Sequence, residues 1–152
     1  MKNNMLKDVM CLLVLTYTLF FMAPMDASTK EQDWDKVLQK GYQLLSTGNT
    51  QEALVIFEAK VKKYPQSAAC HTAEGRALKR LGKLDEAKAE FRSATQIDTN
   101  FADGFYELGC MLESDKDYAG AIKAFEHYQE LKPAESLRLA IADRIRSCKS
   151  HL

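Results

Sequence analysis

One spacing governs this chain. Gly41, Gly75 and Gly109 stand 34 residues apart, and Leu44, Leu78 and Leu112 keep the same interval. So do Ala53, Ala87 and Ala121, and so do Phe57, Phe91 and Phe125. Four sets of three at one period, with no insertion between them, identify a repeated unit of two short helices rather than a composite of unrelated elements. Within a unit the glycine and leucine lie three apart, on one face of a first helix such as Ala68 to Leu81. In the second helix, such as Asp85 to Asp98, Ala87, Phe91 and Ala94 fall at i, i+4 and i+7, a single stripe at helical period. Small residues allow close helix approach, and the phenylalanine is expected to fill the space toward the next unit's first helix. Gly48 and Gly82 read as C-terminal caps of the first helices. Pro65 and Pro133 stop the second helices of units one and three, with Thr99 in the corresponding place of unit two.

On these residues the chain resembles the tetratricopeptide-repeat family, over Trp34 to about Lys132. The resemblance implies an all-α fold: a right-handed α-α superhelical solenoid of three helix-turn-helix repeats, 34–67, 68–101 and 102–134, with a capping helix over 135–149. A single unit cannot bury its own stripe, so about three must stack and the end needs a polar cover. The last segment fits that part, with Leu137, Ile141, Ile145 and Cys148 on one face and Arg138, Asp143, Arg146 and Lys149 around the rest. The chain departs from the family frame at the fourth place, with Val37, His71 and Phe105, and before the glycine, with Lys40, Glu74 and Leu108. Late in the second helix Lys60 and Tyr128 replace the alanine that unit two keeps as Ala94.

The family generally holds peptides or helices of other proteins in the groove formed by its first helices. The positions the resemblance turns inward are Asp35, Leu38, Tyr42, Leu45 and Ser46 in unit one. In unit two they are Ala69, Thr72, Arg76, Lys79 and Arg80, and in unit three Asp103, Tyr106, Cys110, Glu113 and Ser114. Arg144 of the cap extends the row. The expected groove is apolar and aromatic at one end and basic at its centre, because Arg76, Lys79 and Arg80 share a helical face. It suits a partner protein segment bearing an acidic or C-terminal carboxylate beside an apolar anchor. Alternatively the three cations are a solvated face balanced by Glu74, Glu107 and Glu113. The family's clamp for chaperone tails has a lysine and an asparagine where this chain has Leu38 and Tyr42, so that class of partner is not implied.

The N-terminus carries a different signal. Lys2 and Lys7 precede Val9 to Ala23, a stretch without charge, and Pro24 follows. A positive segment before an apolar one of this length reads as an export signal over 1–27, cleaved or retained as a membrane anchor, with 28–33 as a linker. It is shorter than the roughly 20 residues of a typical spanning helix. The expected location is therefore exported across, or anchored in, a membrane. Without residues 1–27 the chain keeps Cys70, Cys110 and Cys148, an odd number that leaves at least one thiol free or paired between molecules.

Twenty-one basic residues balance 21 acidic ones with no long run of one sign, which gives no nucleic-acid footprint. Paired-cysteine metal spacing, a G-x-S-x-G elbow and a phosphate-cradling glycine loop are all missing from the sequence, so neither catalysis nor a cofactor is expected. His71 beside Cys70 does not make a dyad, since neighbours on a helix point about 100° apart. The reading is a binding scaffold or assembly factor of the cell envelope; the alternatives are a chaperone for secreted substrates, a thiol redox protein using Cys110 or Cys148, and a self-assembling array.

Overall fold

The computed structural model describes the backbone of residues 27–131 and 135–152 and the side chains of 36–131 and 138–152. The apolar segment Val9 to Ala23, Pro133 and the side chain of Leu137 lie outside these. Among the described residues the regular elements are helices: α1 (Ala27–Ser46), α2 (Thr50–Lys63), α3 (Ala68–Arg80), α4 (Leu84–Ile97), α5 (Ala102–Ser114), α6 (Tyr118–Leu131) and α7 (Glu135–Lys149). The chain divides into Met1–Lys36 and Val37–Leu152. In the first part the described residues are helical from Ala27, so 28–33 is not an extended linker. The reason lies in the local sequence: between Ala27 and Lys40 there is neither glycine nor proline to stop a helix.

The second part is an all-α helical repeat solenoid. Three hairpins, α1–α2, α3–α4 and α5–α6, turn through three residues each, and the middle residue of every turn has positive φ: Gly48 (85°), Gly82 (77°) and Lys116 (61°). The amide of the following residue then reaches back to the carbonyl of the periodic leucine, Asn49 to Leu44, Lys83 to Leu78 and Asp117 to Leu112, at 2.9, 3.0 and 2.9 Å. A second bond joins the turn residue to the carbonyl three before it, Gly48 to Leu45, Gly82 to Lys79 and Lys116 to Glu113. These paired bonds are the Schellman closure, which satisfies carbonyls the helix end leaves open. The sequence foretells it twice; the third turn achieves the same backbone with a lysine.

Phe57, Phe91 and Phe125 are completely buried, as are Ala53, Ala87 and Ala121. Each ring lies against the glycine of its own unit. A Cβ added at Gly41 would come within 2.3 Å of Phe57 Cε1, at Gly75 within 2.6 Å of Phe91 Cε1, and at Gly109 within 2.5 Å of Phe125 Cε1. The glycine thus vacates the space for an aromatic edge of its own hairpin, whereas the periodicity alone directs the ring toward the next unit. Phe125 also meets that neighbour, since the Arg144 guanidinium of α7 sits 4.8 Å from its centroid. Burying each ring stabilises the stack by roughly 1.5–3 kcal/mol. Each second helix packs on the following first helix, and α3 also touches α5, so the first helices form a row. Ile141, Ile145 and Cys148 of α7 join Leu112, Ile122, Phe125 and Tyr128 in one apolar cluster that closes the stack.

Candidate protein-binding groove

The row of first helices brings side chains from three units around one cavity of about 460 Å³. Tyr42, Leu45 and Ser46 of α1 form one wall, Arg76, Lys79 and Arg80 of α3 the floor, and Glu107 of α5 the far side. The three cations are not equivalent. Arg76 Nε donates to Glu107 Oε1 at 2.8 Å, its Nη2 to Asp103 Oδ2 at 3.3 Å and its Nη1 to the Tyr42 hydroxyl at 3.4 Å. Lys79 Nζ donates to the other Glu107 oxygen, Oε2, at 2.8 Å. Arg80 Nη1 instead donates to the Leu45 backbone carbonyl, an uncharged group.

Glu107 therefore sits between two cations with both carboxylate oxygens engaged. It is buried, and burial alone would push its pKa up, yet the hydrogen bonds from Lys79 and Arg76 and their charges hold it below the usual carboxylate value. Burial acts against the charge on Arg76, but the bonds to Glu107 and the nearby Tyr42 raise its pKa above the ordinary guanidinium value. Tyr42 is raised by burial, in part offset by Arg76. Glu107 and Arg76 are thereby both held charged near neutral pH.

A second cluster continues the row. Arg144 Nε donates to Glu113 Oε2 at 3.0 Å and its Nη1 to Cys110 Sγ at 3.1 Å, while its guanidinium lies 5.9 Å from the Tyr106 centroid. The expected groove residues thus fall into two groups: Tyr42, Leu45, Arg76, Lys79 and Arg80 around the cavity, and Tyr106, Cys110 and Arg144 beside α7. Leu38 joins neither; it is buried in the core. Leu45 is buried as well but reaches the cavity edge.

Of the three carboxylates expected to balance Arg76, Lys79 and Arg80, Glu107 does so, for Arg76 and Lys79, whereas Glu113 pairs with Arg144 of α7 and does not. Nor does Glu74. Two residues before Arg76, it lies about 200° around the helix, and its Oε2 is buried without a hydrogen-bond partner in the protein. Burial first, then the charges of Glu90 and Glu58, push its pKa up to about 7. His71 shares this side, with Nδ1 2.6 Å from Glu90 Oε2 and Nε2 3.0 Å from the Pro65 carbonyl oxygen. Its ring is committed to those partners, and Cys70, fully buried, has a thiol pKa raised mainly by burial.

Cys70, Cys110 and Cys148 are all free, so Cys110 and Cys148 are not bridged. Cys148 is buried, which raises its thiol pKa. Among the described residues no group of three or more His, Cys, Asp or Glu side chains could hold a metal, and no helix is long and apolar enough to cross a membrane.

Glu107 is named from the sequence as a counter-charge, but its place between two of the cations is not read from one helix alone. It pairs with Arg76 and Lys79 at separations of 31 and 28, a little under one period, so its place follows from the stacking of units.

Solved structures of similar fold are numerous. The TPR2B domain of yeast Sti1, in its complex with pHsp70, superposes with a TM-score of 0.68 at 19% identity, covering 78% of this chain and 97% of that one. The Yersinia enterocolitica type III secretion translocator chaperone SycD gives 0.70 at 15% identity, covering 87% and 91%. SycD in complex with a peptide of the translocator YopD gives 0.69 at 15% identity, covering 83% and 96%. No curated protein sequence matches this chain. Two family models described as tetratricopeptide repeat match residues 44–104 and 102–135, which together span more than half of it. With the 34-residue period, the repeated Schellman turns and the glycine–phenylalanine contact in each hairpin, these matches place the chain in the tetratricopeptide-repeat family.

Proposed function

We propose that this chain is a protein-interaction module that holds a segment of another protein against its row of first helices, as a scaffold or assembly factor at the cell envelope. The observation that carries the reading is the cavity shared by α1, α3 and α5, where an aromatic and an apolar side chain adjoin three cations. A partner segment with an acidic group beside an apolar anchor complements that surface. The structures of similar fold support a protein partner: one is a complex with pHsp70 and another a complex with a YopD peptide. Placement at the envelope rests on Val9 to Ala23, apolar behind Lys2 and Lys7.

The test pairs location with capture. Cell fractionation should find the chain outside the cytosol or in the membrane fraction, and affinity capture from that fraction should recover a partner that Arg80→Glu loses. Arg80 is the informative position because its guanidinium bonds a backbone carbonyl rather than a buried carboxylate, so charge reversal there alters the surface more than the fold. A soluble cytosolic chain would remove the envelope from the reading, and an unchanged captured set would remove this surface.

A further inference from the structure

The cavity wall already contains a carboxylate bound as a ligand's would be. Glu107 accepts from Arg76 Nε and Lys79 Nζ, each at 2.8 Å, one oxygen to each cation. Its side chain is 10% exposed, whereas those of Arg76 and Lys79 are 29% and 40% exposed, so the cations present themselves to the cavity from in front of the acid that holds them. Asp103 adds a second, longer contact to Arg76 from a side chain 45% exposed. Resting on the reading of this cavity as a partner site, we infer that Glu107 is an internal competitor for acidic segments: an incoming carboxylate engages Arg80 first and then exchanges with Glu107 on Lys79 and Arg76.

The chemistry of that exchange sets its consequence. A charge-assisted bond to a ligand replaces a charge-assisted bond within the protein, so little is gained by the exchange itself. Arg80 gives up a carbonyl for a carboxylate and provides the net attraction. Affinity for acid is thereby held down, and a segment must supply its apolar anchor at Tyr42 and Leu45 as well. Glu107 then acts as a specificity-determining residue that discriminates against segments that are merely acidic.

Two fluorescein-labelled twelve-residue peptides test this with the 152-residue chain: four repeats of Leu-Asp-Ser, and the same peptide with Asn for Asp. In fluorescence anisotropy, Glu107→Gln should bind the Asp peptide about tenfold tighter than the unaltered chain, with no gain for the Asn peptide. Asp103→Asn, at a half-exposed position, should give a gain of about two- to threefold and keeps the test open should Glu107→Gln not fold. In the unaltered chain, saturation with the Asp peptide should shift the Arg76 Nε–H resonance. If the Asp peptide binds the unaltered chain and is lost with Arg80→Glu, yet neither carboxylate replacement tightens it, the partner site stands and the role of Glu107 falls. That role falls equally if the Arg76 resonance stays fixed at saturation. If that peptide binds none of the forms, both fall together.

Discussion

The second and third repeats share a scaffold and differ on the side away from the groove. In the second, His71 meets Glu90 at 2.6 Å and Glu74 buries an oxygen nearby without a partner. In the third, the positions 34 residues later are Phe105, Ala124 and Leu108. There Phe105 packs on His127 with ring centroids 4.2 Å apart, and Leu108 and Ala124 line an open apolar cleft of about 340 Å³. Polar and apolar versions of one surface thus rest on the same glycine–phenylalanine contact, where a Cβ on the glycine would come within 2.6 Å of the ring in one repeat and 2.5 Å in the other. The fold depends on that contact and tolerates wide variation beside it.

The largest test of this comparison is Gly75→Ala set against Gly109→Ala. Each drives a methyl against the edge of a fully buried ring, and each should cost about 1–3 kcal/mol in urea denaturation even after the helix-propensity gain of up to about 1 kcal/mol. Near-neutral behaviour of either one would break the claim that the repeats share a scaffold.

Next comes the pH dependence that only the second repeat should show. Glu74 has a folded-state pKa raised to about 7, above its usual 4.5, so the folded chain retains a proton that the unfolded chain releases. Its contribution to stability is present below about pH 4.5 and is lost as pH rises through about 7. Glu90, Glu58 and Glu86 work in that direction, and His71 opposes them. Glu74→Gln should therefore flatten the fall in Tm between about pH 5 and 8, whereas Leu108→Gln should leave its slope unchanged. Equal slopes for unaltered chain and Glu74→Gln would remove the contrast.

The smallest effect concerns the turns. Lys116 adopts a left-handed backbone at φ 61° where the other repeats have glycine. Lys116→Gly should raise stability by about 0.5–1 kcal/mol, and Gly82→Lys should lower it by a similar amount. Denaturant midpoints that move the other way would mean the lysine side chain compensates the turn.

The fold was legible because its cause is local and repeated. Glycine, leucine, alanine and phenylalanine at one period specify a hairpin whose two turn bonds and one ring contact recur three times. The α1 segment was less so, because a polar run without breakers, Ser28 to Asp33, resembles a linker in composition while permitting a helix. In the groove, Arg76, Lys79 and Arg80 were legible as one cationic face, since i, i+3 and i+4 place them together. That two of them are held by one buried acid was not, because Glu107 comes from the next hairpin and its pairing depends on how far adjacent first helices slide along each other. The burial of Leu38 has the same origin: register assigns a row, and packing against neighbours decides which members of the row meet solvent.

Arg144 lies 68 residues after Arg76 and repeats its pattern, reaching back 34 residues to Cys110 as Arg76 reaches back 34 to Tyr42. By that register α7 is the opening half of another hairpin, and Ser150 stands where Gly48, Gly82 and Lys116 turn. Ser150 does not adopt their left-handed backbone, and its amide bonds to the carbonyls of Arg146 and Ser147. Helix α7 thus parts from the other first helices at a single backbone conformation, one that Lys116 shows a residue with a side chain can reach.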